Sequence, residues 1–386
     1  MKADFDAIIL AAGFSRRMQG FKPLYPLGES TVIERVICLF RRAGARETLV
    51  VLGHEAGKLL PVVEKNAARA VQNERYAEGM FSSVQAGVRG LKPGDGPFFV
   101  LPVDIPLVRP ETLRCMVEAF DHPKTLLLHP CFRGRRGHPP LISRRLGPSI
   151  LAGTGPGGLK AVLDRAEAES PAEVAEVAVP DEGILLDLDT PEEYTRVLDR
   201  WHRHDLPTRN ECEALFELAE TPPEAREHGR AVAAVAARIA AALNRRRGHE
   251  NALDLERIER AAVLHDLAKG RRRHEAEGGR LLREAGFGAL PGIVAEHMDI
   301  DPPAGAPLGE REVVFIADKL VAGTKPVPLR ERYWAVIERH KDDPDAKAAI
   351  LTRLRRAESI LARFEMETGE RLPELAAAAL GFVEVK

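Results

Sequence analysis

Asp6-Ala-Ile-Ile-Leu10 runs directly into Ala11-Ala-Gly13-Phe-Ser15-Arg-Arg17-Met-Gln-Gly20-Phe-Lys22. A short apolar strand that gives way to small residues, Gly, Ser and several cations brings backbone N–H groups and positive side chains against a polyphosphate. The segment has neither the Gly-Lys-Ser/Thr of a P-loop nor the G-x-G-x-x-G of a dinucleotide fold. It predicts a nucleotide site of another kind, and a basic strand-to-helix turn without a ligand is the alternative.

The loop resembles the L-A-A-G-x-S-x-R-M-x-x-x-K signature of the molybdenum-cofactor nucleotidyltransferases and their sugar-nucleotide relatives, which share a GT-A-like αβα fold. The resemblance implies that the loop wraps the triphosphate of CTP or GTP, and the L-A-A-G form favours CTP. It implies catalytic roles for Arg17 and Lys22. The positions that it implies to bind the nucleotide are Leu10, Ala11, Ala12, Gly13, Ser15, Arg16 and Lys22. Gln19 stands where the signature usually has glycine.

Length and charge limit the function classes. A chain of 386 residues is long enough for two domains, each with its own core. The net charge of −2 gives no general attraction to nucleic acid or to an anionic membrane, so neither is expected as a partner. The apolar runs are too short to span a bilayer and the start lacks a signal-peptide layout, which predicts a cytoplasmic protein. The scattered cysteines are expected to be reduced packing residues.

The two halves of the chain differ in sequence pattern. Up to about Arg203, short apolar runs alternate with helical segments such as 30–43 and 110–120, which predicts an α/β domain with a mostly parallel sheet between helical layers. The predicted strands are 6–10, 48–53, 98–103, 125–129, 176–179 and 184–188. Beyond a polar passage the pattern is helical only, which predicts an all-α second domain. The expected boundaries are 1–203, a linker at 204–222, and 223–386.

Two carboxylates are candidates for a metal site in the first half. Asp104 follows the apolar run 98–103, so it is expected at the carboxyl edge of the sheet beside the phosphate loop. In the resembled family the Asp of this D-x-P-L step is catalytic, contacts the nucleotide and binds Mg²⁺. Asp187-Leu-Asp189-Thr-Pro-Glu-Glu-Tyr194 resembles the family's closing motif, whose second acidic position, Asp189, completes that site. Helix capping is the alternative for both, and at Asp189 the two can hold together.

Two further motifs point to the nucleotide and acceptor pockets. Asn73, Ser82 and Ser83 lie in a segment that resembles the family's N-x-x-[YW]-x-x-G-M-x-x-S element and implies nucleotide binding, with helix N-capping the alternative for the serines. Gly137 and His138 resemble G-x-x-G-H-P and imply contact with the acceptor, with a plain turn the alternative. The G-D-x-G-A-R loop that usually follows is absent, which leaves the acceptor open.

The histidines of the second half occur in an ordered set. Six groups fall on helical segments: His228, His265, Asp266, His274, His297 and Asp318. A carboxylate inside an apolar helical run such as 313–321 is costly unless it is paired or binds a metal. Imidazoles and carboxylates together suit Fe, Mn, Zn or Mg. The alternative for any single histidine is a satisfied core position.

The set resembles the HD-domain metal-dependent phosphohydrolases, H…HD…H…H…D, from about Thr221 to Lys325. The resemblance implies one ion held by His228, His265, Asp266 and Asp318, and a second at His274 and His297, with a bridging hydroxide as nucleophile and Asp266 catalytic. The divalent metal is expected to be Mn²⁺, Fe²⁺ or Zn²⁺. Met298 replaces a histidine often found beside His297, which weakens the second site. Lys269 is a candidate phosphate contact, or a solvated lysine.

These features together predict a bifunctional enzyme. Its first half transfers NMP from CTP or GTP to a small phosphorylated acceptor, for which molybdopterin is one candidate, with a molybdoenzyme or its chaperone as protein partner. Its second half hydrolyses a phosphate ester. The rival interpretation is a sugar- or alcohol-phosphate nucleotidyltransferase whose HD domain is a regulatory module that senses a nucleotide.

Overall fold

The computed structural model describes residues 4–14, 20–122, 124–154, 156–302 and 305–382. Its contacts divide the chain into two compact units, 1–204 and 205–386. No helix within the described ranges is both long and apolar enough to cross a bilayer.

The first unit is an eight-stranded, mostly parallel sheet covered by helices, as the alternating sequence pattern predicts. Its strands are β1 (Asp6–Ala11), β2 (Pro26–Leu27), β3 (Ser30–Thr31), β4 (Glu47–Leu52), β5 (Arg69–Gln72), β6 (Phe98–Pro102), β7 (Leu127–Phe132), β8 (Arg135–Arg136), β9 (Leu141–Ile142) and β10 (Val174–Ala178). The sheet order is β10-β7-β9-β6-β1-β4-β5, with β8 paired to β7, while β2 and β3 form a separate hairpin. The predicted α/β class is therefore confirmed.

The register of the central strands places the functional loops together. Strand β1 runs parallel to both β4 and β6, and Leu10 is paired with Pro102. The loops that follow β1 and β6 therefore leave the same edge of the sheet side by side. The flanking helices are α1 (Val32–Ala43), α2 (Ala56–Lys65), α3 (Met80–Gly90), α4 (Pro110–Ala119), α5 (Gly147–Ala152), α6 (Gly158–Glu169) and α7 (Pro191–His202).

Two sheet predictions differ from the structure. The segment 184–188, predicted as a strand, begins inside a 3-10 turn at Glu182–Leu185 and joins no sheet among the described residues. The buried Asp181 carboxylate causes this turn, because it accepts hydrogen bonds from the N–H groups of Gly183 and Arg109. Strand β5, which the sequence pattern did not reveal, pairs with β4 at the sheet edge.

The second unit is helical, as predicted. Its elements are α8 (Arg209–Ala219), α9 (Pro223–Asn244), α10 (Leu255–Leu264), α11 (His274–Glu284), α12 (Pro291–Ala295), α13 (Glu310–Lys319), β11 (Val321–Ala322), β12 (Lys325–Pro326), α14 (Leu329–Arg339), α15 (Pro344–Thr368) and α16 (Leu372–Ala379). Helix α9 contacts α10, α13, α15 and α16. Gly229 permits its close approach to α10, because a Cβ there would lie 2.3 Å from the Val263 carbonyl oxygen.

The segment 204–222, expected to be a linker, differs from that expectation. It contains helix α8, capped by Thr208 with Glu211 at its third position. Leu215 and Phe216 of this helix are buried in the core of the second unit. The polar composition that suggested a linker belongs to the exposed face of α8 and to the short turns around it.

Candidate active sites

A cleft of about 450 Å³ opens at the carboxyl edge of the sheet in the first unit. The residues that line it are Leu10, Ala11, Ala12, Gly13, Phe14, Lys22, Pro23, Tyr76, Ala77, Gly79, Met80, Ser83, Pro102, Val103, Asp104 and Asp189. The loop after β1 contributes its small residues, whose lack of bulk leaves the backbone accessible to a ligand. Ser15, Arg16 and Arg17, predicted to bind the triphosphate, lie outside the described residues.

Three charged side chains that are distant in sequence meet in this cleft. The Lys22 ammonium donates to Asp189 Oδ1 at 2.5 Å and to Asp104 Oδ2 at 3.3 Å. Burial raises the pKa of the Asp104 carboxyl, and the Lys22 ammonium partly opposes that shift. A cation between two carboxylates, close to small phosphate-loop residues, is chemistry suited to a nucleotide and a divalent ion.

The turn before α7 explains the position of Asp189. The Glu193 carboxylate accepts from the N–H groups of Asp189 and Thr190, both at 2.9 Å, while Thr190 caps the helix. The helix-capping interpretation of this motif is confirmed, and it is compatible with a role in the cleft, because the capping box fixes the turn that directs Asp189 towards Lys22. Asp187 is exposed and does not line the cleft.

The predicted nucleotide residues on the second segment divide into two groups. Ser83 lines the cleft. Asn73 and Ser82 are buried beside it, and the Asn73 amide donates to the hydroxyl oxygens of Ser82 and Ser83, each at 2.9 Å. The Asn73 side chain also accepts from the N–H of Arg75. Its hydrogen bonds therefore hold the start of α3 in place beside the cleft.

Gly137 and His138 line a neighbouring pocket of about 500 Å³. Leu10, Met80 and Pro102 line both this pocket and the cleft, so the two are adjacent. A Cβ at Gly137 would lie 2.6 Å from the Ile184 carbonyl oxygen, and the N–H of His138 donates to that oxygen at 2.9 Å. Glycine is required there because the chain passes so close to residue 184. Partial burial lowers the pKa of His138.

The six predicted ligands of the second unit converge at one place. Two groups of nitrogen and oxygen atoms each lie within 4.8 Å of one another, and Asp266 belongs to both. The first group is His228, His265 and Asp266, and the second is Asp266, His274 and His297. Asp318 joins the first, because its Oδ1 lies 3.0 Å from His228 Nε2 and 3.7 Å from His265 Nε2.

Backbone carbonyls orient three of the imidazoles. The Nδ1 atoms of His265 and His297 each lie 2.7 Å from the carbonyl three residues earlier, and His228 Nδ1 lies 2.9 Å from the Gly323 carbonyl. With Nδ1 of each ring directed to these carbonyls, each Nε2 atom faces the cluster. Burial lowers the pKa of His265 to about 4, so this ring is neutral at pH 7.

The centre of the cluster fits a metal ion. His265 Nε2, Asp266 Oδ1, His274 Nε2 and His297 Nε2 are buried and lack hydrogen-bond partners among the described residues. His274 Nε2 lies 3.1 Å from Asp266 Oδ1. This separation is close to the value of about 3.0 Å expected for two ligand atoms that each lie about 2.1 Å from one ion, at right angles to each other. Buried polar atoms of this kind are costly unless an ion satisfies them. Four imidazoles and two carboxylates suit Fe, Mn or Zn.

Positive side chains contact both carboxylates of this cluster. Lys319 donates to Asp318 Oδ2 at 2.6 Å, Arg332 to Asp318 Oδ1 at 3.2 Å, and Lys269 Nζ lies 3.0 Å from Asp266 Oδ2. Burial acts to raise the pKa values of Asp266 and Asp318. The surrounding histidines and cations outweigh it and hold both well below the usual range.

Comparison with known proteins agrees with this division. Residues 7–171 match the family described as MobA-like NTP transferase domain, and residues 226–323 match the HD domain. The chain thus joins a MobA-like NTP transferase domain to an HD domain. The Bifunctional protein GlmU of Geobacter sulfurreducens is 36% identical over 119 residues, 30% of this chain and 25% of the relative. The chain thus spans about a quarter of the length of the curated relatives it matches.

Two solved structures are each similar to about half of this chain. A nucleotidyl transferase from Methanothermobacter thermautotroptrophicus is 26% identical, with a TM-score of 0.47, and covers 52% of this chain and 98% of its own. Rv0371c from Mycobacterium tuberculosis H37Rv is 25% identical, with a TM-score of 0.44, and covers 52% of this chain and 100% of its own.

Several residues near the two sites were missed by sequence reasoning. In the NTP transferase domain, the Phe14 ring lies 4.9 Å from His54 and 5.5 Å from Tyr76, forming an aromatic wall of the cleft. In the HD domain, Lys319 and Arg332 contact Asp318. A lysine directly after a carboxylate in an apolar helix was a usable signal for Lys319. Arg332 lies beyond the matched HD residues, and no sequence pattern marked it.

Proposed function

We propose that the NTP transferase domain transfers NMP from CTP or GTP to a phosphorylated acceptor with release of pyrophosphate. The observation that carries this proposal is the meeting of Lys22, Asp104 and Asp189 at the end of β1, in a cleft large enough for a nucleotide. Those side chains act on phosphate charge, which is the main demand of phosphoryl-group chemistry.

In this mechanism the loop after β1 holds the triphosphate with its backbone N–H groups. An acceptor phosphate oxygen attacks the α-phosphorus as the bond to the β-phosphate oxygen breaks, and pyrophosphate leaves with that electron pair. Lys22 moves from Asp189 to the phosphates and neutralises the developing charge. Asp104 and Asp189 would hold Mg²⁺, which supplies further charge neutralisation when bound.

We propose the pocket at Gly137 and His138 as the acceptor site, since it adjoins the nucleotide cleft through Leu10, Met80 and Pro102. Its lining combines apolar side chains, including Phe81 and Leu163, with the cations Arg136 and Lys160, which pair with Glu167 and Asp164 of the same lining and would turn from them to an acceptor phosphate. That mixture suits an acceptor with an apolar or planar body and a phosphate, and molybdopterin is the first candidate of this type. A molybdoenzyme or its chaperone would then receive the product.

The transferase proposal is tested by a pyrophosphate-release screen. Each of the four NTPs is combined with molybdopterin and with sugar and alcohol phosphates, in Mg²⁺, using wild-type protein and Asp104→Asn. CTP or GTP with one acceptor class is expected to give turnover that Asp104→Asn abolishes. Turnover with a sugar phosphate in place of molybdopterin selects the rival acceptor class. No pyrophosphate from any pair contradicts the proposal.

We propose that the HD domain is a metal-dependent phosphohydrolase acting on a phosphate ester. The four buried nitrogen and oxygen atoms without partners among the described residues carry this proposal. The first ion would be held by His228, His265, Asp266 and Asp318, and a second by Asp266, His274 and His297. Bound ions of this kind lower the pKa of a water and make it a nucleophile at neutral pH.

The test of the HD proposal combines elemental analysis with a phosphoesterase screen. Purified full-length protein is expected to contain one or two transition-metal ions per chain and to hydrolyse phosphate esters in Mn²⁺ or Fe²⁺. Glu227→Gln changes an exposed residue of α9 and is the control, which should leave both the metal content and the hydrolysis unchanged. Absence of both metal and hydrolysis contradicts the hydrolase and supports the regulatory module, in which this domain senses a nucleotide.

We also propose that the two domains fold independently, with the boundary between His204 and Asp205. The contact division at that point and the burial of Leu215 and Phe216 in the helical core support a boundary before α8. Fragments 1–204 and 205–386 are expected to melt cooperatively, each with one activity. A fragment 223–386 that is as stable as 205–386 would contradict this boundary and return α8 to the linker.

A further inference from the structure

Arg332 occupies an unusual position beside the HD cluster. It lies on α14, beyond residues 226–323 that match the HD domain. Its Nη2 donates to Asp318 Oδ1 at 3.2 Å, and its Nη1 donates to the Val321 carbonyl. The carbonyl contact anchors the guanidinium from one side, so its other N–H groups remain at the cluster whatever happens at Asp318.

Asp318 does not depend on Arg332 for its orientation. The Lys319 ammonium takes the other carboxylate oxygen, Oδ2, at 2.6 Å, and also donates to the His297 carbonyl at 3.0 Å. Lys319 is almost completely buried, with 8% of its side chain exposed. One buried cation thus fixes and neutralises the carboxylate, and a divalent ion bound at Oδ1 would compete with the second cation for that oxygen.

Arg332 differs from Lys319 in reaching solvent, because 27% of its side chain is exposed. The other carboxylate of the cluster has a similar partner: Lys269 contacts Asp266 Oδ2, and 48% of the lysine side chain is exposed. Each metal-site carboxylate therefore has one solvent-reaching cation at its side. A guanidinium presents two parallel N–H groups that match two oxygens of a phosphate, whereas an ammonium acts as a point charge.

We propose that Arg332 is a substrate-binding residue that selects phosphomonoesters over phosphodiesters. The proposal rests on the hydrolase function proposed above and names its substrate class. A terminal phosphate carries close to two negative charges at pH 7 and has three free oxygens, whereas a diester carries one charge and two free oxygens. Two cations beside the metal ligands favour the more highly charged ligand. With Nη1 held by the Val321 carbonyl, the Nε and Nη2 N–H groups of Arg332 can contact two of its oxygens once a metal ion takes Asp318 Oδ1.

The experiment compares wild-type protein with Arg332→Met and Arg332→Lys, all metal-loaded and full length. The substrates are p-nitrophenyl phosphate and bis-p-nitrophenyl phosphate, and inorganic phosphate binding is measured by calorimetry. Arg332→Met is expected to lower kcat/KM for the monoester about 30-fold and to raise the phosphate Kd about tenfold, with less than a threefold change for the diester. For Arg332→Lys, the monoester kcat/KM and the phosphate Kd are expected to lie between those of wild type and Arg332→Met. The metal content of both variants should equal that of wild type, since Lys319 still holds Asp318.

Arg330→Met is the matched control, because Arg330 lies on the same helix, pairs with Glu358 and has 76% of its side chain exposed. It is expected to leave every readout unchanged. Equal losses on monoester and diester, or loss of metal in Arg332→Met, would overturn the assignment and make Arg332 a structural partner of Asp318. If wild type binds phosphate without hydrolysing either ester, and Arg332→Met weakens that binding, the assignment stands while the hydrolase fails. If wild type neither binds nor hydrolyses, both fail.

Discussion

The two sites of this chain differ in how their charges are satisfied before any ligand binds. In the NTP transferase cleft, the Lys22 ammonium bridges Asp104 and Asp189. In the HD cluster, three imidazole nitrogens and one carboxylate oxygen are buried without a hydrogen-bond partner in the described part of the chain. The first arrangement is electrostatically complete on its own, whereas the second is complete only with an ion.

This difference bears on how each site acquires its metal. A lysine between two carboxylates occupies the position from which they would hold a divalent ion. We therefore expect metal binding there to depend on the arrival of a nucleotide, whose phosphates would attract the lysine. The histidine cluster has preoriented lone pairs, set by backbone carbonyls at His228, His265 and His297. The HD metals are thus expected to be resident, and the transferase metal to come and go with substrate.

The largest expected effect is that of Asp266→Ala on the HD domain. Asp266 belongs to both ligand groups, so its removal should reduce metal content below about 0.2 ions per chain and hydrolysis by at least about 10³-fold. CTP or GTP turnover should stay within about twofold of wild type if the domains are independent. The measurements are elemental analysis and the two activity assays.

His265→Ala and His297→Ala refine that result. His265 belongs to the first ligand group and His297 to the second, where Met298 replaces a further histidine. Loss of His297 is expected to leave one ion in place, while loss of His265 costs more activity. Two ions retained after Asp266→Ala would show that the cluster is not the metal site.

The second prediction concerns Lys22→Met in the transferase cleft. Loss of the ammonium should lower NTP turnover by about 10²- to 10³-fold, because the developing charge on the phosphates is no longer neutralised. The same change removes the ammonium from between Asp104 and Asp189, so Mn²⁺ binding without nucleotide should increase, as measured by electron paramagnetic resonance. Lower turnover together with stronger metal binding is expected only if the Lys22 ammonium occupies the position of the ion in the nucleotide-free protein.

Lys65→Met is the control, since Lys65 is exposed at the end of α2. It should change neither turnover nor Mn²⁺ binding. Weaker nucleotide-free Mn²⁺ binding in Lys22→Met would contradict the comparison, since it would mean that the two carboxylates need the lysine to stay in place.

The sequence predicted the architecture because periodicity reports buried faces directly. The apolar run at 98–103 became β6, and Asp104 lies at its carboxyl end as expected. The segment 184–188 has the same composition as a strand, but the Asp181 carboxylate imposes a turn, because it accepts from the N–H of nearby Gly183 and from the N–H of distant Arg109. A contact across more than 70 positions has no trace in local pattern.

The candidate site residues could likewise be predicted only where the local sequence pattern marks them. His265, Asp266 and Asp318 could be selected because polar residues inside apolar helical runs are costly. Arg332 could not, since an arginine on a polar helix face is ordinary, and only the fold brings it to Asp318. Nucleotide binding by Asn73 stays a prediction, and the sequence did not reveal that its amide donates to Ser82 and Ser83.

The third prediction uses metal removal. Dialysis against a chelator should lower the melting temperature of the HD domain by about 10 °C, the shift given by losing about 4 kcal/mol of ligand-linked stability in a domain of this size. The NTP transferase domain should shift by less than about 2 °C, because Lys22 satisfies its carboxylates. Scanning calorimetry of the full chain resolves the two transitions, and Asp266→Ala identifies that of the HD domain. Equal shifts in melting temperature for both domains would contradict the proposed difference between the two sites in their dependence on metal.

The smallest effect is expected in the pH dependence of the metal-free protein. Burial lowers the pKa of His265 to about 4, against an unfolded value near 6.5, so between these pH values the unfolded chain binds a proton that the folded chain does not. The stability of the metal-free HD domain should therefore fall as pH decreases from 6.5 to 4.5, by up to about 3 kcal/mol over the full window. In the NTP transferase domain, Arg69 holds the pKa of Glu47 down to about 2, and that contribution is lost only below pH 4.5.

The two domains should thus respond to acid in different pH windows, and denaturant unfolding of the chelated full chain at pH 7, 6, 5, 4, 3 and 2 covers both. His228 acts with the opposite sign, because its pKa is raised: burial lowers it, but the Asp318 carboxylate outweighs burial. Its contribution is present in full at low pH and is lost as pH rises.

Comparing wild type with His265→Gln isolates the contribution of His265, since His228 is common to both proteins. The variant should show a flatter dependence between pH 6.5 and 4.5, whereas metal-loaded wild type should be steeper, because a bound ion keeps its imidazole ligands neutral in the folded state while the unfolded chain still takes up protons. Identical slopes for wild type and His265→Gln would mean that the buried imidazole is protonated in the folded metal-free protein and that the cluster is satisfied without an ion, as the transferase cleft is.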